Sequence, residues 1–391
     1  MRPGLSRAFG GALRTLAATA VLSLLGAALA GGQTQTAPAQ RPPMAEEVFK
    51  NLQVLKGIPV NEFMETMGFF TASLGADCTF CHVAESGGSW ERYADDNPHK
   101  RTARRMVLMV AAINRDSFGG RQVVTCYTCH RGGDRPRVTP SLSALYGAPP
   151  PEEPSDVITA APGQPQADQV LDKYIQAVGG LERLTSLTSF VAKGTYQGYD
   201  DPTKRPVEVF AKAPGQRATI VHTPDGDSST TYDGRAGWIA APSTQRPVPV
   251  LALAGEDLDA ARIEAALSFP ARIKQALGGW RVGFPATIDE HEVQVVQGTS
   301  AGRVVATLYF DAESGLLVRL VRQTDSPVGR IPTQIDYADY RAVSGVKMPF
   351  RWTVTWLDGR ATIELSDIQP NAPIDAAKFG RPSPPPAAQR K

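Results

Sequence analysis

Two pentapeptides, Cys78-Thr-Phe-Cys-His82 and Cys126-Tyr-Thr-Cys-His130, decide how the first part of this chain folds. They contain all four cysteines of the sequence, so no cysteine is left over for a disulfide framework. Each pentapeptide fits one turn of helix, where positions i, i+3 and i+4 share a face. Two thiols and an imidazole then lie side by side, which is the arrangement of the c-type haem attachment motif.

This motif predicts a covalent cofactor. Two thiols add to the two vinyl groups of one porphyrin, and the neighbouring imidazole reaches its iron, so we predict two covalently bound haem c groups. The predicted haem-binding residues are Cys78, Cys81 and His82 for the first group, and Cys126, Cys129 and His130 for the second. The main alternative is a four-thiolate zinc ribbon built from both cysteine pairs. A zinc ribbon does not need a histidine after each pair, so haem is favoured.

An amphipathic helix is predicted before each motif. The first has Asn61 as its N-cap and stops at Gly75, and its apolar stripe recurs at spacings of 4, 3 and 4 residues. That stripe consists of Phe63, Met67, Phe70 and Leu74. The second helix has Asn97 as its N-cap and Pro98 in its first turn. Its apolar stripe consists of Met106, Met109, Val110 and Ile113.

Each iron needs a sixth ligand or an open site, and few side chains qualify. The methionines on the two helices are Met64, Met67, Met106 and Met109, and the remaining histidines are His99, His222 and His291. Methionine ligation would raise the potential relative to a second imidazole. Met67 shares its helix face with the apolar stripe, whereas Met64 points partly away from it. Periodicity does not decide between Met106 and Met109, and His99 reads as a solvated polar residue.

The N-terminus resembles an export signal. Three arginines, Arg2, Arg7 and Arg14, precede an apolar run from Leu16 to Leu29 that ends in Ala28-Leu-Ala30. We predict a signal peptide over residues 1–30, with an uncleaved anchor as the alternative, and a location in the periplasm or at the outer face of the cytoplasmic membrane. The net charge of +2 gives no footprint for nucleic-acid binding.

Composition divides the rest of the chain. We predict a flexible spacer over 31–43, a helical dihaem region over 44–140, a Pro/Ala-rich linker over 141–166 and a disordered tail over 381–391. Between the linker and the tail, 167–380 opens with a helix from Val170 to Val178 that ends at Gly179-Gly180. Alternating segments such as Phe190–Tyr196 and Val304–Phe310 then indicate strands, with a helical stretch near 258–277. The predicted fold class is a helical cytochrome region followed by a mainly antiparallel β domain.

Basic residues concentrate in the haem region. From Lys100 to Arg137 there are nine Lys or Arg residues, against only Asp116 and Asp134. Arginines suit bidentate contacts with the carboxylates of haem propionates, which is the favoured interpretation. The alternative is a basic docking surface for an acidic redox partner.

Residues 44–140 resemble the cytochrome subunit of photosynthetic reaction centres. The matching stretches are Asn51-Leu-Gln-Val-Leu55, Glu62-Phe-Met-Glu-Thr-Met67, Cys78–His82, Ala103-Arg-Arg-Met106, Ile113-Asn114 and Val124-Thr-Cys-Tyr-Thr-Cys-His-Arg-Gly132. The resemblance implies that Met67 is the axial ligand opposite His82, and Met106 the one opposite His130. It thereby favours Met106 over Met109. The family's subunit carries four haems, whereas this chain has two attachment motifs.

The second domain is loosely similar to the antiparallel half-barrels of lipoprotein-carrier proteins, through Ile335–Arg341 and Gly345–Phe350. No nucleophile–base pair or phosphate-binding loop is visible there, so we interpret it as an interaction or envelope-tethering module. The whole chain is predicted to be an exported dihaem electron carrier and not an enzyme. Its expected partners are redox proteins, with a membrane reaction centre or a respiratory complex as candidates. The alternatives are a dihaem peroxidase and a haem-bearing envelope interaction protein.

Overall fold

The computed structural model describes residues 41–82, 90–147, 158, 160–199 and 201–385. The predicted signal peptide, most of the spacer and the end of the predicted tail lie outside the described residues. The part of the linker that is described includes a short helix as well as extended chain. In these ranges no helix is both long and apolar enough to cross a membrane.

The helices occupy mainly the first half of the chain. Within the described ranges they are α1 (Ala45–Val48), α2 (Val60–Leu74), α3 (Cys78–Cys81), α4 (Pro98–Phe118), α5 (Cys126–His130), α6 (Leu142–Tyr146), α7 (Ala167–Ala177), α8 (Leu181–Ser186) and α9 (Gly255–Leu267). Three short 3-10 helices cover Arg92–Ala94, Pro270–Gln275 and Ala376–Phe379. The two predicted haem attachment motifs form short helices, α3 and α5, and His82 of the first motif is the C-cap of α3.

The second half is built on one antiparallel sheet. Its strands are β1 (Ser189–Gly198), β2 (Arg205–Lys212), β3 (Gln216–Thr223), β4 (Gly226–Tyr232), β5 (Gly237–Ala240), β6 (Val250–Ala252), β7 (Gly279–Val282), β8 (Ala286–Ile288), β9 (His291–Ser300), β10 (Arg303–Asp311), β11 (Leu317–Ser326), β12 (Gly329–Val343), β13 (Val346–Trp356) and β14 (Gly359–Pro370). The order is β6-β5-β4-β3-β2-β1-β14-β13-β12-β11-β10-β9-β7, with β8 paired to β9. The path ends at β6 and β7 without joining them, so the sheet stays open. Helical residues such as Leu171 and Ile263 share its core with strand residues such as Leu320, which confirms the predicted fold class.

The predicted ends of the two long helices can be checked residue by residue. Asn97 caps α4, because its side chain accepts a hydrogen bond from the backbone N–H of Lys100 at 2.8 Å. Gly75 ends α2 in the left-handed conformation, with φ of 60°. The prediction that Asn61 caps α2 is wrong, because the N-cap is Pro59. A backbone bridge joins Pro59 to Met44, and the helix starts at Val60, two residues earlier than it would with Asn61 as its N-cap.

Helix α2 packs against the sheet as well as against the haem motifs. Phe69 of α2 and Cys126 of α5 share a buried cluster with Val328 and Ile331 at the β11–β12 turn. The approach is close: a Cβ added at Gly329 would lie 2.2 Å from Cζ of Phe69. The haem region and the β domain therefore share an apolar interface.

A half-buried polar cluster flanks this interface. The Asn61 side-chain amide donates to Glu65 at 3.1 Å and to Asp257 of α9 at 2.6 Å. Arg246 donates to the Asn61 side-chain oxygen at 2.9 Å. Burial, followed by the charge of Asp257, raises the pKa of Glu65 to about 7. The second carboxyl oxygen of Glu65, Oε2, is buried without a hydrogen-bond partner among the described residues, which fits a protonated carboxyl group.

Replacing Glu65 with glutamine is therefore expected to change how stability depends on pH. The pKa is raised in the folded state, so the stability linked to Glu65 is full below about pH 4.3, the ordinary pKa of glutamate, and is lost as the pH rises through about 7. Glu65→Gln should remove that loss and increase the free energy of unfolding at pH 8 by roughly 2–3 kcal/mol. Urea unfolding at pH 5 and pH 8 measures it. Glu91→Gln, at an exposed position, is the control, and equal pH profiles for native protein and Glu65→Gln would contradict the assignment.

Candidate functional site

The first attachment motif begins as a one-turn helix whose N-cap is Asp77. The Asp77 side chain accepts hydrogen bonds from the Thr79 backbone N–H at 2.9 Å and from the Thr79 hydroxyl at 2.6 Å. At the other end, the His82 N–H donates to the Cys78 carbonyl at 2.9 Å. The turn places both cysteines on one short helix, whereas His82 is its C-cap, with extended backbone (φ −114°, ψ 147°), so the histidine leaves the helical turn that the spacing predicted.

The second motif is capped by threonines and held to α4 by one buried amide. Thr125 and Thr128 form a capping box around the start of α5. The Asn114 side-chain oxygen accepts from the N–H groups of Val123 and Val124 at 3.0 and 2.9 Å, and its amide donates to the Val124 carbonyl at 2.7 Å. Asn114 therefore fixes the approach to Cys126. Its only signal in the sequence was a place in the Ile113-Asn114 match.

Both motif histidines are oriented by backbone carbonyl groups. Nδ1 of His82 lies 3.1 Å from the Tyr93 carbonyl oxygen, and Nδ1 of His130 lies 3.0 Å from that of Gly133. A carbonyl oxygen only accepts, so each Nδ1 carries the proton and each Nε2 keeps its lone pair for a metal. Burial, and then the charge of Lys100, lowers the pKa of His82, which also favours the neutral ligand form. Sequence reasoning missed Tyr93 and Gly133 as the acceptors.

A cavity adjoins the first motif and is lined by the predicted stripe of α2. Its apolar walls include Phe63, Phe70, Leu74, Leu52, Leu55 and Val107, and its floor includes Cys78, Cys81 and His82. Met64 and Met67 both line it. The donor set and the apolar walls fit a haem attached through two thioether links, with the imidazole of His82 on one side. Met67 as the second axial ligand stays a prediction, because Met64 lines the same cavity.

Two basic side chains lie at the edge of this cavity. Arg104 is largely buried and pairs with Asp96 at 2.7 Å, and it also donates to the Asn51 carbonyl at 3.1 Å. Lys100 donates to the carbonyls of Tyr93 and Asp95. Two of the nine basic residues noted above are therefore placed near the first haem site. Arg104 already has a carboxylate partner.

The second motif has a different environment. Cys126 is buried in the cluster with Phe69, whereas Cys129 is exposed. On α4, Met106 is 38% exposed and Met109 is 46% exposed, so they are not part of a fully buried stripe. The donor chemistry again fits a c-type haem. Apolar residues surround the motif at Cys126 but not at the exposed Cys129. Met106 as axial ligand stays a prediction.

The four thiols do not form one metal site. All four cysteines are free, and the described ranges contain no group of three or more His, Cys, Asp or Glu that could hold a metal ion. The thiolate cluster of a zinc ribbon is therefore not assembled. Burial raises the pKa of Cys78 and Cys81, and it raises the pKa of Cys126 to about 11, so these thiols are protonated at neutral pH.

His99, His222 and His291 are not among the residues that line the cavity beside the first motif. His99 is exposed and its ring stacks edge-on against Phe80 at 4.1 Å. His222 lies on β3, where it contacts Asp227 at 2.9 Å and Glu208 at 3.4 Å. His291 is exposed at the start of β9.

Comparison with solved structures concerns the β domain. A LolA superfamily protein from Nitrosomonas europaea superimposes with a TM-score of 0.38 and 15% identity, covering 56% of this chain and 99% of that one. A putative outer membrane lipoprotein-sorting protein domain from Vibrio parahaemolyticus gives a TM-score of 0.37 and 10% identity, covering 54% and 94%.

Comparison of sequences concerns the haem region. The family model for the photosynthetic reaction centre cytochrome c subunit matches residues 10–147. The subunit from Thermochromatium tepidum is 42% identical over 99 residues, which cover 24% of this chain and 23% of that protein. The subunit from Rubrivivax gelatinosus is 32% identical over 149 residues, covering 35% and 37%. The chain thus spans between 23% and 37% of these relatives' length. Over residues 10–147, this chain is similar to the photosynthetic reaction centre cytochrome c subunits, and the family model does not include the β domain that follows.

Proposed function

We propose that this protein is an exported dihaem c-type cytochrome that carries electrons between redox partners at the cell envelope. The observation that carries the proposal is a pair of short helices, each with two thiols and with a histidine at or just after its end whose Nδ1 is held by a backbone carbonyl. When bound, haem c supplies a one-electron carrier at each motif. No substrate site is required, so we propose electron transfer and not catalysis.

The protein's own residues act by holding and shielding. Cys78 and Cys81 would anchor the cofactor covalently, and Nε2 of His82 would be available as an iron ligand, because Nδ1 is already hydrogen-bonded to the Tyr93 carbonyl. The stripe of α2 excludes water from the first site, which limits reorganisation around a change of charge. A rigid apolar wall on one side and a fixed histidine on the other suit outer-sphere transfer, in which no bond is made or broken.

The test is haem content and spin state of the protein made in cells that mature c-type cytochromes. We expect the mass of two haems in addition to the polypeptide, and low-spin spectra with the weak far-red sulfur-to-iron band from methionine ligation. A polypeptide of unmodified mass contradicts the proposal. High-spin ferric haem that reacts rapidly with peroxide would establish the peroxidase alternative, for which the exposed Met106 side of the second motif is the place to look.

Exposed arginines near the second motif support a docking surface. Gly133 N–H donates to the His130 carbonyl at 3.1 Å and Arg137 N–H donates to the Cys129 carbonyl at 2.9 Å, so the loop from Arg131 to Arg137 folds back on α5. Its arginines are exposed, and so are those on the outer face of α4 and in the turn after it. These residues are Arg101, Arg105, Arg115, Arg121, Arg131, Arg135 and Arg137. Only Arg115 forms an ion pair among the described residues, with its neighbour Asp116. We propose that they steer an acidic redox partner, in a membrane reaction centre or a respiratory complex, towards the second haem.

Replacing Arg131, Arg135 and Arg137 together with glutamine is expected to slow electron transfer to anionic oxidants. The bimolecular rate with ferricyanide should fall about tenfold at low ionic strength, and the difference should vanish near 1 M salt. With the cation tris(phenanthroline)cobalt the same variant should react faster. A matched triple variant at Arg235, Arg351 and Arg360 of the β domain should leave both rates unchanged. Equal slowing with both oxidants would point to a damaged haem site and contradict steering.

A further inference from the structure

The carbonyl oxygen of Tyr93 accepts two hydrogen bonds beside the first attachment motif. One comes from Nδ1 of His82, at 3.1 Å. The other comes from the ammonium group of Lys100, which also donates to the Asp95 carbonyl at 3.2 Å. A cation and the imidazole of the predicted iron ligand therefore share one acceptor atom. Orienting His82 requires only the first of these hydrogen bonds, so the second one needs its own explanation.

The start of α4 fixes the backbone from which this cation extends. The Asn97 side chain accepts from the Lys100 backbone N–H at 2.8 Å, and its amide donates to the Cys81 carbonyl at 2.7 Å. The first turn of α4 is thus tied to the end of α3, and the Lys100 side chain lines the cavity beside His82. Because the cap bonds the backbone N–H, a change of the Lys100 side chain leaves this anchor in place.

The charge of Lys100 is not neutralised by a carboxylate. Within the described ranges its ammonium group bonds only to carbonyl oxygens. The other lysine and the arginine that line the cavity both have carboxylate partners. Lys50 pairs with Glu91 at 3.1 Å, and Arg104 pairs with Asp96 at 2.7 Å. Lys100 is therefore the cation whose field is least compensated beside the first motif.

Two further carboxylates act on the first motif without pairing with Lys100. Asp77 accepts both of its hydrogen bonds from Thr79. Asp358, in the turn between β13 and β14, acts through its charge on Cys78. Burial lowers the pKa of Lys100, but lysine starts from an ordinary pKa of about 10.4. The side chain thus stays an ammonium group at neutral pH.

The second motif provides an internal reference. The Gly133 carbonyl accepts from Nδ1 of His130 at 3.0 Å, and in the part of the chain that the structure describes no lysine or arginine side chain donates to that oxygen. Both histidines have a main-chain acceptor at nearly the same distance. The ammonium group is therefore what distinguishes the acceptor of His82 from that of His130.

This difference affects how strongly His82 can donate electrons to a metal. A carbonyl that accepts from Nδ1–H raises the basicity of the imidazole, and the effect is weaker when a cation shares the same oxygen. The weaker imidazole and the nearby positive charge both disfavour the ferric state relative to the ferrous state. Both influences therefore raise the reduction potential of a haem bound to His82.

We propose that Lys100 is a positioning residue that raises the reduction potential of the first haem, acting on His82 through the shared carbonyl of Tyr93. Lys100 thereby makes the first haem a better electron acceptor. The role rests on the proposed function, because it needs a haem on Cys78 and Cys81. It concerns a side chain that neither carries the cofactor nor binds its iron.

The test removes the charge and keeps a neutral donor, with Lys100→Gln in the holoprotein. We expect the reduction equilibrium constant of the first haem to fall about tenfold, which is about 59 mV for one electron. Potentiometric titration followed by NMR, which resolves the two haems, measures it. Lys100→Arg retains the charge and should keep most of the native value. The potential of the second haem should not change in either variant.

Lys50→Gln is the matched control, because Lys50 lines the same cavity. Its side chain is 72% exposed and paired with Glu91, so its loss should change the equilibrium constant by less than about twofold. If Lys100→Gln leaves the first potential unchanged, or lowers both haem potentials equally, the proposed role of Lys100 is wrong. Failure of the proposed function looks different, because the native polypeptide then lacks the mass of two haems.

A measurement on the native protein answers the question even if Lys100→Gln does not retain haem. In the reduced, diamagnetic holoprotein, we expect a nuclear Overhauser effect between the ammonium protons of Lys100 and the Nδ1 proton of His82, since both groups donate to one oxygen. The Nδ1 proton of His130 should show no such effect from a lysine. Absence of the effect at His82 would mean that the ammonium group binds elsewhere, for example to a haem propionate, and would overturn the proposal.

Discussion

Replacing Met67 with alanine is expected to lower the reduction potential of the haem on Cys78 and Cys81 by roughly 0.1 V, within the range of about 0.8 V over which axial ligands set haem potentials. A thioether favours the ferrous state, and its loss removes that preference. Met67 lies on the stripe of α2 that lines the cavity beside His82. Potentiometric titration followed in the visible spectrum measures the shift. Carbon monoxide should then bind the reduced haem of the variant.

The matched control is Met64→Ala, because Met64 lines the same cavity three residues earlier. It should leave the potential nearly unchanged and the far-red sulfur-to-iron band intact. If the two variants exchange these results, Met64 is the ligand and the implication of the family resemblance is wrong at this position. If neither variant shifts the potential, the first haem has no methionine ligand.

The second large effect is expected where α2 meets the β11–β12 turn. Gly329→Ala should decrease the free energy of unfolding by about 1–3 kcal/mol, because its Cβ would lie 2.2 Å from the ring of Phe69. Phe69→Ala alone should cost about 3–5 kcal/mol, because it empties a buried site. In the double variant the alanine at 329 should cost less than in the native background, because the ring it collides with is gone and only the strain of its φ of +158° remains. Thermal and urea unfolding of the native protein, the two single variants and the double variant complete this double-mutant cycle.

Gly215→Ala is the control for a glycine-to-alanine substitution without a steric clash, because an added Cβ there meets no atom within 4 Å. It should change stability by less than about 0.5 kcal/mol. Strict additivity of Gly329→Ala and Phe69→Ala would contradict the contact. It would mean that the haem region and the β domain do not share this apolar interface in solution.

Local signals predicted several parts of the structure well. Asn97 and Pro98 mark the start of α4 because capping is a short-range hydrogen bond. The stripe of α2 indicated which face would meet the first motif, and Phe63, Phe70 and Leu74 do line that cavity. The alternation in Phe190–Tyr196 and Val304–Phe310 located β1 and β10.

Long-range contacts were not predictable in this way. Phe69 lies outside the stripe, and nothing near it in sequence indicates that the other face of α2 packs against Val328 and Ile331. The acceptors of the two histidines are main-chain oxygens, which any residue supplies, so Tyr93 carries no signal for that role. Polar strands such as β4, with the sequence Gly226–Tyr232, gave too little alternation to stand out. Arg217 of β3 packs its guanidinium on the Trp352 ring of β13, and no short-range pattern in the sequence indicates that contact.

The use of both faces of α2 has an evolutionary consequence. A gene fusion or exchange at the proline-rich segment 141–166 would join the haem region to a different domain. In this protein such an exchange would expose Phe69 and Cys126 on the haem region. It would also expose Val328 and Ile331 on the β domain, because the four residues bury one another. Both fragments would then expose adhesive apolar surfaces. The two halves are therefore expected to be inherited together and to accept substitutions at this boundary in pairs.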